Sequence, residues 1–406
     1  MPLIFDLFMN KVSKLFYSYL ALIGLLAHIA IVGCYLIHPD LVKKIIILGI
    51  NNTNHFFEAA SFFEAKEKTV SIEQEIAMVF PDWQPLKASD IAPGAIRVGG
   101  KAFDSLKNAA AILEDGDTLT LGEGVYGEPL IITANHVRVV GDGHVVFKNA
   151  AAKGKGAILV KGNNITIKNI ECSGVNVRDG NGSCVRQQGN NLSLEHVYFH
   201  DSQQGLLTGR DPGEVIIHDS RFEKLGANGR AHAIYVSGGR LLINDSFFIA
   251  AAGEGHEIKS RAEQTIIRNT LISSLSSRDS RLIDVSNGGF LSVYNSILHQ
   301  GPNSSNQDLI GFGLENKNRH ETNRIEVVGN FIIMERDGSN RLVNALPGLA
   351  ELSIRENIII SKKDPGIGVS NLVYKSREEA GLGPYPALPS LTNLTNAQFS
   401  ENSINN

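Results

Sequence analysis

The chain reads LSLEHVYFH at residues 192–200 and repeats the pattern in VIIHDSRFE (215–223), LLINDSFFI (241–249), TIIRNTLIS (265–273) and LSVYNSILH (291–299). In each stretch an apolar residue stands two positions before a central polar residue, and another stands three positions after it. With one earlier member, the central residues are Asn169, His196, Asp219, Asp245, Asn269 and Asn295, at intervals of 27, 23, 26, 24 and 26 residues. An internal repeat of this period decides the fold.

Two apolar columns accompany these polar corners. The residues two positions before the corners are Ile167, Leu194, Ile217, Ile243, Ile267 and Val293, and those three positions after are Cys172, Phe199, Phe222, Phe248, Ile272 and Leu298. Such alternation indicates strands with one buried face. Asn and Asp tolerate left-handed backbone, which suits a corner. Because the period is shorter than the ~30 residues of a strand–helix–strand unit, we predict coils of short strands stacked ~4.8 Å apart.

A second set of strands lies between the corners, at residues 157–161, 184–188, 233–237, 257–261, 282–287 and 309–314. The series begins at 137–141 and continues at 325–330 and 352–357. The longer interval between Asn295 and Asn330 predicts an inserted loop near residues 316–322. Leucine-rich repeats and propellers are the alternatives, but the first would show a leucine pattern and the second a longer period with four strands per blade.

The entry of the repeat resembles a known group of proteins. Phe103-x4-Asn108-Ala109-Ala110, Asp115-Gly116-Asp117-Thr118-Leu119-x-Leu121 and Gly124-Val125-Tyr126 are similar to the start of pectate-lyase-like right-handed β-helices. The resemblance implies a short helix over the first coil, whose apolar end would otherwise be exposed. The expected fold is all-β, a right-handed parallel β-helix of about nine coils. Lyases, epimerases, hydrolases and binding proteins share such folds, so the fold alone does not give the function.

The N-terminal region predicts a transmembrane helix. Residues 17–37 contain no Asp, Glu, Lys or Arg, and His28 is expected to be neutral. About 20 apolar residues span a bilayer core. We expect an uncleaved anchor; a cleaved signal peptide and lipidation of Cys34 are the alternatives, and all three place the remainder outside the cytoplasm. The predicted organisation is 1–40 cytoplasmic start and anchor, 41–98 partly helical connector, 99–365 β-helix, and 366–406 a loose tail or a strand over the last coil.

Composition excludes some classes of function. The net charge is −4 with both signs interspersed, so the basic stripe of a nucleic-acid-binding protein is missing. The sequence has no P-loop, no H-E-x-x-H, no G-x-S-x-G and no cysteine cluster for zinc. Cys172 and Cys184 could form a disulfide, but Cys172 falls in an interior column, and two small buried thiols are the expectation.

Candidate site residues follow from the alternation. If Ile234, Ile258 and Ile283 point inward, then Tyr235, Lys259 and Asp284 form one outward column. On the predicted strand at residues 257–261, we expect the outward face to carry Glu257, Lys259 and Arg261. Arg186 adds a cation, and the proposed substrate-contacting residues are Arg186, His232, Glu257, Asp284 and Asn287. A long flat face of this kind suits an extended sugar chain.

His232 and His256 occupy equivalent positions, 24 residues apart. Counting by twos from the neighbouring isoleucines turns both toward the interior or a corner. We therefore expect a stacked, hydrogen-bonded pair rather than a metal site. If a corner turns them outward, they become the candidate acid–base groups.

One segment also resembles a family of enzymes. Glu254-Gly255-His256-Glu257-Ile258-Lys259-Ser260, followed by Ile266-Ile267-Arg268-Asn269-Thr270, is similar to a stretch of alginate and chondroitin lyases. The resemblance implies that Lys259 is the general base, with a pKa that neighbouring cations such as Arg261 lower. Asp284 stands where the family's next coil has an arginine. Glu254 and Glu257 are the candidates for the family's calcium ligands; we assign no metal and no cofactor.

These observations predict a membrane-anchored, extracytoplasmic protein that acts on a polysaccharide. The enzyme hypothesis is a uronate lyase or C5-epimerase-like activity, with Lys259 as base and His256, Arg261 or Tyr235 assisting. The alternative is a non-catalytic glycan-binding or export scaffold beside exopolysaccharide machinery. The expected partners are a polysaccharide and the membrane, with no nucleic acid.

Overall fold

The computed structural model describes residues 70–391, apart from 90, 316–318, 364 and 366–369. The predicted anchor at residues 17–37 lies outside this range. Within the described range, no helix is long and apolar enough to cross a membrane.

The described part of the chain contains two short helices, α1 (Ile72–Val79) and α2 (Leu106–Ala111). The strands are β1 (Ile96–Val98), β2 (Lys101–Phe103), β3 (Thr118–Tyr126), β4 (Leu130–Ile132), β5 (Arg138–Lys148), β6 (Gly156–Val160), β7 (Ile165–Lys168), β8 (Glu171–Ser173), β9 (Ser183–Gln187), β10 (Leu192–Glu195), β11 (Tyr198–His200), β12 (Gln204–Leu207), β13 (Glu214–His218), β14 (Arg221–Glu223), β15 (Ile234–Val236), β16 (Arg240–Asn244), β17 (Phe247–Ile249), β18 (Ile258–Ser260), β19 (Gln264–Arg268), β20 (Leu271–Ser273), β21 (Ile283–Val285), β22 (Phe290–Tyr294), β23 (Ile297–Gln300), β24 (Asp308–Phe312), β25 (Arg324–Val328), β26 (Phe331–Met334), β27 (Arg341–Ala345), β28 (Glu351–Arg355), β29 (Ile358–Ser361) and β30 (Leu372–Tyr374).

Apart from β1 and β2, which pair antiparallel with each other while β1 also pairs antiparallel with β3, the strands form three parallel ladders. The first ladder runs through β3, β5, β7, β10, β13, β16, β19, β22, β25 and β28. The second runs through β8, β11, β14, β17, β20, β23, β26, β29 and β30. The third consists of β4, β6, β9, β12, β15, β18, β21, β24 and β27. The predicted all-β parallel β-helix of about nine turns is confirmed.

The corners and interior columns explain why this sequence coils. All six corner residues have left-handed backbone, with φ between 47° and 54°, so the predicted role of Asn, Asp and His at the corners is confirmed. Every residue of the two apolar columns is fully buried. The rings of Phe222 and Phe248 stack with centroids 4.7 Å apart. Burial of these columns, worth ~25 cal/mol per Å² of apolar surface, is the main stabilising term.

The ends of the solenoid are closed differently. Helix α2 covers the first coil, as the resemblance implied, and buries Leu106 and Ala109. The Ser105 hydroxyl caps this helix by accepting a hydrogen bond from the Asn108 N–H at 3.2 Å. At the other end β30 adds a parallel strand to β29.

The outward face of the second ladder is covered by other parts of the chain. Ile76 and Phe80 pack with Leu271, Ile297 and Phe331 in a second hydrophobic cluster, to which the C-terminal segment adds Tyr374, Ala380, Leu382, Leu388 and Leu391. Sequence reasoning treated the region before residue 98 as a connector and missed this packing.

Cys172 and Cys184 form a disulfide between β8 and β9. The expectation of two separate thiols was wrong, because the coil brings the interior column beside the next strand with the Cα atoms 5.8 Å apart. That separation lies within the range that a disulfide requires.

Candidate functional site

The outward column of the third ladder contains the candidate site. Its members pair rung by rung in the order Ile131, Leu159, Arg186, Leu207, Tyr235, Lys259, Asp284, Gly311 and Asn344. The inward neighbours Ile234, Ile258 and Ile283 are fully buried. The structure therefore places Tyr235, Lys259 and Asp284 in one column, as the alternation predicted.

Lys259 lies between two carboxylates. Its Nζ is 3.1 Å from Asp284 Oδ2 and 2.9 Å from Glu315 Oε1. Burial lowers the pKa of Lys259, but Asp284 and Glu315 more than offset this, and the net shift is upward. The lowered pKa that we expected for Lys259 is not found, because Asp284 and Glu315 both favour the charged amine and the sequence did not reveal Glu315 as a partner.

Glu315 comes from the irregular loop between β24 and β25, where we predicted an insertion. Its other oxygen, Oε2, pairs with Arg261 Nη2. The Tyr235 ring lies beside both cations, with its centroid 5.7 Å from Lys259 Nζ and 5.6 Å from the Arg261 guanidinium carbon. One carboxylate is thus held by two cations next to an aromatic ring. Spacing along the strands could not have predicted a partner from a loop.

Asp284 is buried and remains ionised. Ser286 Oγ donates a hydrogen bond to its Oδ2 at 2.6 Å, and Arg281 Nη1 lies 3.2 Å from its Oδ1. Burial raises the pKa of Asp284, but the surrounding His256, Lys259 and Arg281 and the Ser286 hydrogen bond hold it at about 2. Asp284 is therefore a fixed anion at the centre of the column.

The cluster continues toward the C-terminal end through residues that sequence reasoning missed. Arg281 Nη2 lies 3.3 Å from Asp308 Oδ2, and Asn344 Nδ2 donates to that oxygen at 2.7 Å. Gly311 makes this possible, because a Cβ atom there would come within 2.7 Å of the Arg281 side chain and 2.8 Å of Asp284 Oδ1. The sequence pattern predicted a strand at 309–314 but did not indicate that the Arg281 side chain would pack against it.

His232 and His256 form the stacked pair that we expected, with ring centroids 4.8 Å apart. The backbone N–H of His256 donates to His232 Nδ1 at 3.0 Å, and the backbone N–H of Arg281 donates to His256 Nδ1 at 3.1 Å. Both Nδ1 atoms accept, so each ring carries its proton on Nε2. His256 Nε2 lies 3.8 Å from Asp284 Oδ2.

Burial keeps both rings neutral. It lowers the pKa of His232 to about 2 and that of His256 to about 4. With Nδ1 occupied by a backbone donor, His256 cannot accept a proton from a substrate on the open face without changing tautomer. His256 is therefore a neutral neighbour of Asp284.

Glu257 is not on the outward face, so that prediction was wrong. It precedes β18, is fully buried at the corner, and accepts a hydrogen bond from the Ala251 N–H at 2.6 Å. Burial, with the nearby Asp279 carboxyl, raises the pKa of Glu257 well above its usual value. The error arose because strict alternation was counted past the end of the strand.

The other predicted contacts are spread along the ladder. Asn287 follows β21 and is buried, and its backbone oxygen accepts from the His320 N–H at 3.1 Å. Arg186 lies three rungs from Lys259 in the same column. Glu254 pairs with Arg278 at 2.7 Å, and Glu257 lies at the corner, so these two calcium candidates do not converge. Among the described residues, no group of three or more His, Cys, Asp or Glu side chains could hold a metal ion.

Comparisons with known proteins agree with this architecture. Residues 132–272 match the family model described as "Right handed beta helix region". No curated protein matches the chain.

Several solved structures are similar to the chain. A pectin methylesterase in complex with a hexasaccharide is 14% identical, covering 71% of this chain and 96% of its own, with a TM-score of 0.40. A pectate lyase is 12% identical, covering 68% and 74%, with a TM-score of 0.40. An alginate lyase in complex with a trisaccharide is 14% identical, covering 63% and 68%, with a TM-score of 0.37. The family match and the three parallel ladders confirm that the chain contains a right-handed parallel β-helix.

Proposed function

We propose that the outward face of the third ladder binds an acidic polysaccharide through the carboxylates of its uronate residues. The observation that carries this proposal is the convergence of Lys259 and Arg261 on one carboxylate, that of Glu315, beside the Tyr235 ring. A uronate offers the same charged group attached to a sugar ring. The Glu315 carboxylate therefore marks the position that a substrate carboxylate would take.

The energetics allow such an exchange. The Glu315 side chain is 41% exposed, and ion pairs near the surface contribute only ~0–1 kcal/mol. A polysaccharide carboxylate replaces one anion with another, so Lys259 and Arg261 keep a partner throughout. Tyr235 supplies an aromatic face next to that carboxylate, and sugar rings can pack on such faces.

A second candidate function is uronate β-elimination or C5-epimerisation, both of which begin with removal of the proton alpha to the carboxyl group. One observation favours it: Glu315 is one of the two carboxylates that keep Lys259 protonated. Displacement of Glu315 would lower the pKa of Lys259 only where the incoming uronate carboxylate pairs with Arg261 alone, which leaves Asp284 as the single anion beside the amine. Burial raises the pKa of the Tyr235 phenol, which therefore keeps its proton as a donor. The non-catalytic scaffold uses the same face without turnover.

We also propose an extracytoplasmic location. The Cys172–Cys184 disulfide supports it, since such bonds persist in oxidising compartments. A membrane anchor at residues 17–37 and a place beside exopolysaccharide machinery rest on the sequence alone. Fractionation of cells into membrane and soluble pools tests the anchor, and thiol labelling of the intact and reduced protein tests the disulfide on which the location rests.

The experiment for the proposed function uses the full chain and a panel of polyuronates and neutral polysaccharides. We expect calorimetry to show binding of at least one polyuronate and of no neutral polymer. Lys259→Met should weaken that binding about 10–100-fold, because a charge-assisted hydrogen bond contributes ~1.5–3 kcal/mol. Arg240→Leu is the matched control, since it removes an exposed cation from the first ladder. Equal binding of neutral polymers, or wild-type affinity in Lys259→Met, would contradict the proposal.

The same samples separate binding from chemistry. Ultraviolet absorbance reports the unsaturated ends that a lyase makes, and proton NMR of the recovered polymer reports epimerisation. Product that disappears in Lys259→Met supports the enzyme. Binding without product supports the scaffold.

A further inference from the structure

Arg186 differs from the other cations on the third ladder. It follows Val185 on β9 and points outward between Leu159 and Leu207 of the neighbouring rungs. The side chain is partly buried, and its Nε, like those of Arg261 and Arg281, is enclosed without a hydrogen-bond partner. Burial lowers the pKa of Arg186, and Asp179 acts on it electrostatically without forming an ion pair.

The contrast with its neighbours makes Arg186 available to a ligand. Lys259, Arg261 and Arg281 all form ion pairs with protein carboxylates. Among the residues that the structure describes, no carboxylate forms an ion pair with Arg186. A partly desolvated guanidinium with an unsatisfied N–H favours an added anion, because burial without a partner has a free-energy cost.

The position of Arg186 gives the ligand a direction. The rungs pass from Arg186 to Leu207, Tyr235 and Lys259, so the two cations are about 14 Å apart at ~4.8 Å per rung. The two residues between them are uncharged. Beyond Lys259 the column continues with Asp284, Gly311 and Asn344, none of which is a cation.

We propose that Arg186 binds a second carboxylate of the same polysaccharide chain, which runs along the solenoid axis from Lys259 toward the N-terminal coils. This inference rests on the proposed function and extends it. A ligand must be an acidic oligosaccharide long enough to reach both cations, with carboxylates at both ends of the span. Shorter acidic oligomers bind at Lys259 and Arg261 alone.

The test measures dissociation constants of a size series of one oligouronate, from disaccharide to octasaccharide, with the full chain. For the wild type we expect a stepwise gain in affinity at the length that first spans the two cations. Arg186→Leu should abolish that step, so that oligomers long enough to span both cations bind about 10-fold or more weakly. The affinity of the disaccharide should stay unchanged. Arg186→Lys should keep part of the step, and Arg240→Leu should keep all of it.

The outcomes separate this inference from the proposed function. Lys259→Met should weaken binding at every length. If the wild type binds the series without a step, or if Arg186→Leu leaves the step intact, the second subsite is wrong while the proposed function stands. If Arg186→Leu weakens the disaccharide as much as the octasaccharide, the proposed direction is wrong. If no oligomer of any length binds, both proposals fail. Unchanged thermal unfolding of Arg186→Leu shows that a lost step is not misfolding.

Discussion

The outward faces of the second and third ladders are built on the same coils but have opposite characters. On the second ladder the column Phe247, Leu271, Ile297, Phe331 and Ile358 is apolar, and α1 and the C-terminal segment pack against it. On the third ladder the equivalent column is charged around Lys259 and Asp284. The same coils therefore present one face that apolar segments of the chain cover and another whose charged side chains pair with one another and with the loop residue Glu315.

Histidines on the two faces show the same contrast. On the second ladder His200 lies between Asp201 and Glu171, with nitrogen–oxygen distances of 2.7 and 3.1 Å. Burial lowers the pKa of His200, but these carboxylates raise it to about 9. Beneath the third-ladder face, burial lowers the pKa of His256 to about 4. One histidine is charged at neutral pH between two carboxylates, while the other is neutral beside Asp284.

The largest expected loss of unfolding free energy comes from a substitution on the outward face of the second ladder, which the chain covers. Phe80 is 5% exposed, and its ring lies edge-on to Phe247 at 6.0 Å. Phe80→Ala should reduce the free energy of unfolding by about 3–5 kcal/mol, as buried Phe deletions do. Tyr235→Ala, the matched deletion on the open face, should cost less because its ring is only partly buried. Denaturant unfolding followed by circular dichroism measures both; equal losses would contradict the comparison.

The next largest effect is a decrease in the free energy of unfolding at acidic pH, caused by protonation of His256 in the unfolded chain. Its folded pKa is below the unfolded value of about 6.5, so the unfolded chain takes up the proton first as the pH falls. The free energy of unfolding should therefore decrease by up to about 3 kcal/mol between pH 6.5 and 4. His256→Asn, whose Oδ1 can replace Nδ1 as acceptor for the Arg281 backbone N–H, should make this dependence shallower, while the buried His232 keeps its own contribution. An unchanged slope in the variant would show that His256 is not responsible.

His200 should produce the opposite pH dependence. Its folded pKa is above the unfolded value, so its stabilising contribution is complete below pH 6.5 and is lost as the pH rises to about 9. His200→Asn should therefore reduce the unfolding free energy by about 2–3 kcal/mol at pH 6 and by little at pH 9.5. A loss of the same size at both values would indicate a packing role alone.

The smallest effect on stability is expected from Glu315→Gln. The Glu315 side chain is 41% exposed and Lys259 keeps Asp284 as a partner, so its ion pairs should contribute only ~0–1 kcal/mol and thermal unfolding should hardly change. Affinity for a polyuronate should rise up to about 5-fold, because the competing carboxylate is gone. Weaker binding in this variant would mean that Glu315 contacts the ligand and does not mark its position.

The repeat made much of the fold predictable. Interior residues such as Phe222 and corner residues such as Asn269 repeat in register, and the alternation placed Lys259 and Asp284 in one column. The rest depends on contacts that no local pattern encodes. Glu315 reaches the site from a loop. The Arg281 side chain reaches it through the space that the missing side chain of Gly311 leaves. Glu257 shows where alternation stops, since it turns inward at the corner immediately before β18.

The most direct test is a crystal structure of the full chain with a bound oligouronate. We expect a sugar carboxylate within hydrogen-bonding distance of Lys259 Nζ and the Arg261 guanidinium, with the Glu315 carboxylate displaced and the sugar ring beside Tyr235. Binding to any other surface of the solenoid, with Glu315 still paired to Lys259 and Arg261, would contradict the proposed function.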